Sequence, residues 1–248
     1  MVEKILIASG NHNVFREENR TVKVFRKDFP KSEVLREALH MALVEGTGLK
    51  VPQLRSVEVM EDGCWAIVYD YIEGKTLMQH LEEEPDKMEA YMDQMLDCQL
   101  EMFGKKVPLL NSLKAKMKRQ IQGLDCINDI TRYELLTKLN SMPEHAKLCH
   151  GDFCPSNIVV AEDGWYILDW IHAAQGNASA DVARTYLLLT LNNLDAAYYY
   201  LNRFCEKTGT AKLYVQSWLP LVAAAQLTKK RPEEADLLHS WLNVVDTD

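Results

Sequence analysis

The side chains best suited to chemistry stand close together, in Leu148-Cys-His-Gly-Asp-Phe-Cys-Pro-Ser-Asn-Ile-Val-Val160 and in Trp165-Tyr-Ile-Leu-Asp-Trp170. Asp152 and Asn157 occupy a turn-rich segment between apolar, strand-like pieces, and Asp169 ends the next strand. Three oxygen-bearing side chains at strand ends are what a magnesium-nucleotide site requires. A hard cation takes oxygen ligands while keeping substrate phosphates, and a separate carboxylate must orient an attacking hydroxyl. Taken singly, Asp152 and Asn157 fit ordinary turns and Asp169 fits a helix cap; taken together, they favour the site.

The elements that must position these residues follow from periodicity. Alternating patterns with Val, Ile and aromatic enrichment predict strands at Lys4–Ala8, Thr21–Phe25, Val51–Val59 and Cys64–Tyr71. One helix interrupts them, from near Pro30 to about Glu45, with an expected apolar face of Val34, Leu35, Ala38, Leu39 and Ala42. From Lys75 onward the pattern is helical, near 75–83, 85–104, 109–122, 131–140, 179–191, 194–207, 212–228 and 233–244, with short strands and loops across 146–170. The expected fold class is α+β: a small β-rich lobe over residues 1–72 and a larger, mainly helical lobe over 73–248, with a cleft where ligands commonly bind.

Composition narrows the function classes. The chain has 248 residues, 47% of them hydrophobic and 26% charged, which are globular values. Its net charge of −8 argues against non-specific nucleic-acid binding, which needs a basic surface. The longest run without a charge, Leu213–Thr228, is 16 residues, short of the roughly 20 a membrane-spanning helix needs. No secretory signal is visible at the start, and six cysteines without a C-x-x-C pair read as reduced thiols, so the expected location is cytoplasmic. With Cys149 and Cys154 lacking further ligand-spaced partners, a zinc site is disfavoured.

The combination His150-Gly151-Asp152 with Asn157, followed by Ile167-Leu168-Asp169-Trp170, resembles the aminoglycoside phosphotransferase and choline kinase family, relatives of the protein kinases. The motif H-G-D-x-x-x-x-N is complete, and the second element is similar to the family's I-D-[WF]. The resemblance implies a protein-kinase-like two-lobed fold and transfer of phosphate from ATP, with magnesium, to a small-molecule hydroxyl. It implies Asp152 as catalytic base, Asn157 and Asp169 as magnesium ligands, His150 as loop support and Asp181 as an anchor of the catalytic loop. It extends over about residues 3–190. Thr21-Val-Lys-Val-Phe25 matches the strand carrying the phosphate-binding lysine, so Lys23 is the candidate, with Glu37 as its ion-pair partner and Lys27 as the weaker alternative. As an ordinary surface pair, Lys23 would snorkel and Glu37 would be solvated.

Ala66-Ile-Val-Tyr-Asp-Tyr-Ile-Glu-Gly74 is similar to the family's hinge, with Tyr69 at the gate and the backbone of Asp70 and Ile72 facing adenine. The nucleotide loop, Ser9-Gly-Asn-His-Asn-Val-Phe15, departs from the pattern with its single glycine, Gly10, although Ser9, Asn11 and Asn13 have side chains able to bond phosphate. That departure keeps open a nucleotide-binding module without transferase activity. Residues 73–248 hold 18 bases and 25 acids. Much of the acidity lies on one helical stripe, Glu82, Asp86, Glu89, Asp93, Asp97 and Glu101. As a solvated face it would be partly neutralised by Lys114, Lys116, Lys118 and Arg119; as an acidic wall beside Tyr198, Tyr199, Tyr200, Tyr214 and Trp218 it would favour a cationic acceptor.

Overall fold

The computed structural model describes residues 4–8, 10–108 and 110–243. In chain order the elements are β1 (Lys4–Ala8), β2 (His12–Glu17), β3 (Arg20–Phe25), α1 (Lys31–Glu45), β4 (Leu54–Val59), β5 (Trp65–Asp70), β6 (Lys75–Thr76), α2 (Leu77–Glu83), α3 (Met88–Phe103), α4 (Leu113–Gln122) and α5 (Asp129–Ser141). There follow β7 (Lys147–Cys149), β8 (Ile158–Ala161), β9 (Gly164–Ile167), β10 (Ala174–Gly176), α6 (Ala178–Thr190), α7 (Leu194–Thr208), α8 (Lys212–Gln216), α9 (Leu219–Leu227) and α10 (Pro232–Ser240). They form two compact units, residues 1–83 with 155–172 and residues 84–154 with 173–248. These packing units do not follow the division at residue 72 expected from patterning, because α2, β8 and β9 pack and pair within the first unit.

The first unit is built on an antiparallel sheet of order β1-β2-β3-β5-β4. Alternation in β3 sends Val22 and Val24 to one face, where they pack with Ala66, Val68 and Met60, and sends Lys23 to the other. Lys23 is paired in register with Val14 and Ile67, so its neighbours across both strands are buried apolar side chains. Helix α1 packs on β4 and β5 and on the turn at Trp170–His172. Its buried residues are Val34, Glu37, Ala38, His40, Met41 and Val44, which corrects the expected apolar face: Leu35, Leu39 and Ala42 are exposed. The helix is rotated so that Glu37, an acid, sits on the inward face, and the reason is its partner on β3.

Strand β2 was not expected from the sequence. It takes in Asn13, Val14 and Phe15, so the segment between β1 and β2 is shorter than the predicted nucleotide loop. A second sheet, β6-β8-β9, completes the first unit.

In the second unit α6 is buried nearly all round, with α7 and α9 against it. The expected helix 212–228 is two helices. Pro220 at the start of α9 has no amide hydrogen to continue the hydrogen-bond ladder through Ser217 and Trp218, and it suits a first turn instead. No helix among the described residues is long and apolar enough to cross a membrane.

Gly74 shows how closely β6 and β8 approach. Its φ is +156°, and a Cβ there would meet the Val160 carbonyl oxygen at 2.3 Å. Replacing Gly74 by Ala is expected to lower stability by about 1–3 kcal/mol, the usual cost of overpacking a closed site. Urea titration checks it, and an unchanged midpoint would contradict this packing.

Candidate active site

In the first unit, β3 delivers Lys23 to the inward face of α1. Its Nζ donates to Glu37 Oε1 at 2.7 Å and lies 4.0 Å from Asp169 Oδ1. The Lys23 and Glu37 side chains are only 11% and 6% exposed, so the pair is a buried one and the snorkelling alternative fails. Tyr69 Oη also donates to Glu37 Oε1, at 3.0 Å. Burial pushes the Glu37 carboxyl up, against the pull of the Lys23 ammonium and the Tyr69 hydroxyl, and burial with the nearby Glu37 charge pushes the Tyr69 phenol up. One turn along α1, His40 Nδ1 lies 3.1 Å from the Ile171 carbonyl oxygen, so one helix face holds both Lys23 and the turn that follows Asp169.

Asp169 has a left-handed backbone, φ 58°, which Asp tolerates better than most residues. Trp170, fully buried, donates from Nε1 to the Ile167 carbonyl at 3.0 Å and fixes the turn from inside. The Leu168 amide donates to the Asn157 carbonyl at 2.8 Å, joining the two predicted magnesium ligands through adjacent backbone. Asp169 and Asn157 offer hard oxygen donors. No group of three or more His, Cys, Asp or Glu side chains able to hold a metal exists among the described residues. Two protein oxygens fit magnesium, which keeps waters and substrate phosphates as its other ligands.

The rest of the expected nucleotide residues divide. Gly10 and Asn11 are exposed at the β1–β2 turn, with the Asn11 carbonyl accepting from the Arg26 amide; Ser9 lies outside the described residues. His12, which the sequence did not single out, follows them on the face shared with Lys23. Burial lowers its pKa, as does Lys23, and the Asp169 charge opposes both. At the hinge the Asp70 amide already donates to the Gln53 carbonyl, and its carboxylate binds Arg55 through two hydrogen bonds, 2.5 and 2.8 Å. Its amide is therefore not available to a ligand. Ile72 lies just beyond β5.

The second unit builds the loop that carries Asp152. Asp181, buried in the first turn of α6, accepts from the Gly151 amide at 2.7 Å and the His150 amide at 3.2 Å. Gln99 of α3 donates to the same carboxylate and accepts from Tyr200. Burial pushes the Asp181 carboxyl up, and these donors pull it back. The Asp152 amide donates to His150 Nδ1 at 3.2 Å. Asp152 Oδ1 accepts from Arg184 Nη2 at 3.1 Å, one turn beyond Asp181 on α6, and from Lys229 Nζ at 3.2 Å, just past α9. Neither cation was assigned a role from sequence; Arg184 is visible only as part of Ala180-Asp-Val-Ala-Arg184, and Lys229 follows an apolar helix.

The acidic stripe on α3 has counterions. Asp93 pairs with Arg203 at 2.8 Å, Asp97 with Lys207 and Glu101 with Lys105. The first two partners come from α7 instead of the Lys114–Arg119 segment, where Lys114 is bound to the carbonyls of Asn140 and Met142. The aromatic wall is divided, with Tyr198 exposed and Tyr199 and Tyr214 half-buried. Tyr200 and Trp218 are buried, and Tyr214 accepts from Asn177 through its hydroxyl. None of the six cysteines forms a disulfide among the described residues.

The profile of the phosphotransferase enzyme family matches residues 4–214. The chain belongs to that family. No curated protein matches it. Among solved structures, a thermostable mutant of aminoglycoside phosphotransferase APH(4)-Ia in its apo form has a TM-score of 0.72 at 11% identity, covering 98% of this chain and 91% of that one. APH(2")-IIa, in a ternary complex with streptomycin and ATP, gives 0.65 at 16% identity over 97% and 90%. The amicoumacin kinase hAmiN, in complex with AMP-PNP, calcium ion and Ami, gives 0.63 at 11% over 97% and 86%. The α+β, protein-kinase-like architecture expected from the sequence is thus the fold the family shares.

Removing Lys23 while leaving Glu37 strands a buried carboxylate. Lys23→Met is expected to cost about 3–5 kcal/mol of stability, with a substantial part recovered in Lys23→Met/Glu37→Leu. Chemical denaturation of the two variants checks it, and a double variant no more stable than Lys23→Met would show that the pair is not the buried unit described.

Proposed function

We propose that this member of the phosphotransferase family moves the γ-phosphate of ATP to a hydroxyl of a small molecule. The observation that carries the reading is the Lys23–Glu37 ion pair with Asp169 4.0 Å from Lys23. An extended lysine held by an acid, next to a second acid, is the arrangement that neutralises nucleotide phosphates. Solved relatives support the nucleotide: the structures that resemble this chain include complexes with AMP-PNP and ADP.

In this reading Lys23 binds ATP phosphates, Glu37 holds Lys23 extended, and Gly10 and Asn11, with Ser9, approach the phosphates from the β1–β2 turn. The Asp70 carbonyl and the Ile72 backbone bind the adenine edge. Asn157 and Asp169 would hold magnesium, which supplies charge neutralisation to the phosphates. Asp152 takes the proton of the acceptor hydroxyl as its oxygen bonds to the γ-phosphorus, the bond from that phosphorus to the bridging oxygen breaks, and ADP leaves. Catalysis here is alignment and charge stabilisation, with no covalent enzyme intermediate. Cysteines not joined in disulfides suit a reducing compartment, and we place the enzyme in the cytoplasm.

Asp152→Asn is expected to lower phosphoryl transfer about 10²- to 10⁴-fold, the usual contribution of a general base, with ATP affinity retained because the base meets the acceptor. Turnover close to the unsubstituted enzyme's on an identified substrate would refute the role of Asp152. Asp169→Ala is expected to abolish the magnesium dependence of ATP binding. Calorimetry with and without magnesium measures it, and an unaltered dependence would remove Asp169 from the metal site.

A further inference from the structure

The surroundings of Asp152 carry more positive charge than its single carboxylate neutralises. Arg184 and Lys229 reach the same oxygen, Oδ1, at 3.1 and 3.2 Å. Among the described residues no other carboxylate lies within ion-pair distance of either cation. The Arg184 side chain is 9% exposed and that of Lys229 27%, and Arg184 Nε is buried without a hydrogen-bond partner among the described residues. The next cation, Arg231, has its own partner in Glu234 at 2.9 Å, and Glu234 also accepts from Gln226. Glu234 of α10 is therefore already occupied. Burial lowers the Lys229 pKa, Arg184 and Arg231 lower it further, and Asp152 opposes them. Two cations, one buried and one part-buried, sharing one carboxylate oxygen leave a positive charge that a bound anion would satisfy.

We propose that Arg184 and Lys229 form an anion-binding subsite beside Asp152, and that the acceptor is a small hydroxylated compound bearing a carboxylate or phosphate near the reacting hydroxyl. The inference rests on the assignment of Asp152 as base and deepens it. Closeness follows from geometry, since both cations lie within hydrogen-bond distance of the carboxylate that takes the hydroxyl proton. The planar guanidinium matches carboxylate and phosphate oxygens, and the ammonium adds a point charge. The expectation of a cationic acceptor rested on the acidic stripe of α3, several of whose acids are occupied by Arg203, Lys207 and Lys105.

The test measures ATP-dependent phosphorylation by the wild type, Lys229→Gln and Lys229→Arg across matched acceptors. Glycerate, glycerol 3-phosphate and gluconate are the anions, glycerol and glucose the neutral members, ethanolamine and glucosamine the cations. The expected result is a higher kcat/KM for an anionic member. Lys229→Gln should raise its KM about 10- to 100-fold, the range for losing a hydrogen bond to a charged group, leave the KM for ATP unchanged, and be largely rescued by Lys229→Arg. Preference for cationic or neutral acceptors overturns the subsite and leaves the kinase reading intact. So does a Lys229→Gln effect confined to kcat or to the KM for ATP, which would assign the cations to the transferred phosphoryl group. If no acceptor is phosphorylated, the reaction assignment fails by itself, and calorimetric titration with glycerate and with inorganic phosphate decides the subsite. Binding weakened tenfold or more by Lys229→Gln supports it, and binding that is absent or indifferent to the substitution overturns it.

Discussion

The first unit depends on a buried ion pair. Lys23 cannot be left alone on the covered face of the sheet, where its cross-strand neighbours are apolar, because an unpaired charge away from water is among the costliest features a core can hold. Glu37 removes that cost only by occupying the inward face of α1, and this sets the helix rotation: Leu35 and Leu39 turn outward and Met41 and Val44 inward. The same rotation directs His40 to the turn after Asp169. A pair of charges thus specifies the position of the helix more than it adds stability, since buried pairs often contribute little net energy against an apolar replacement.

The second unit solves a related problem with hydrogen bonds. The His150–Asp152 loop must expose a carboxylate while its own amides are satisfied, and Asp181 takes the amides of His150 and Gly151 from below. Asp181 is itself kept in place by Gln99, which Tyr200 holds in turn. A chain running from α7 through α3 to α6 therefore sets the loop backbone. Arg184, one turn after Asp181 on α6, reaches the Asp152 side chain, so one helix presents an acid to the loop backbone and a base to the loop's own carboxylate.

Charge counted along a chain and charge counted in space give different electrostatic pictures. The four α3 acids, spaced at helical intervals, read along the chain as a negative face. In space, α7 brings Arg203 and Lys207 against it, while α6 and the end of α9 bring Arg184 and Lys229 to Asp152. Electrostatic attraction depends on the nearest uncompensated groups and falls off quickly with screening, so in the proposed reading the cations at Asp152 weigh more on an acceptor than the sign of the whole unit.

The sequence by itself determined the fold class, the family and most of the strands and helices, because alternation and helical periodicity are local properties and the H-G-D-x-x-x-x-N spacing is a local motif. It also determined that Lys23 lies opposite Val22 and Val24, a direct consequence of the strand period of two. Strand β2 escaped notice because His12, Asn13, Arg16 and Glu17 mask its alternation, and pairing with β1 and β3 supplies what its composition lacks. The break at Ser217–Trp218 was legible in Pro220, yet the apolar run around it hid the boundary. Only tertiary structure could decide which face of α1 is buried, that Tyr69 serves Glu37, and that Arg184 and Lys229 meet at one oxygen of Asp152. Those contacts join residues 32 to 77 positions apart, and no local pattern encodes a partner that distant; it is fixed when the packing of whole helices brings the side chains together.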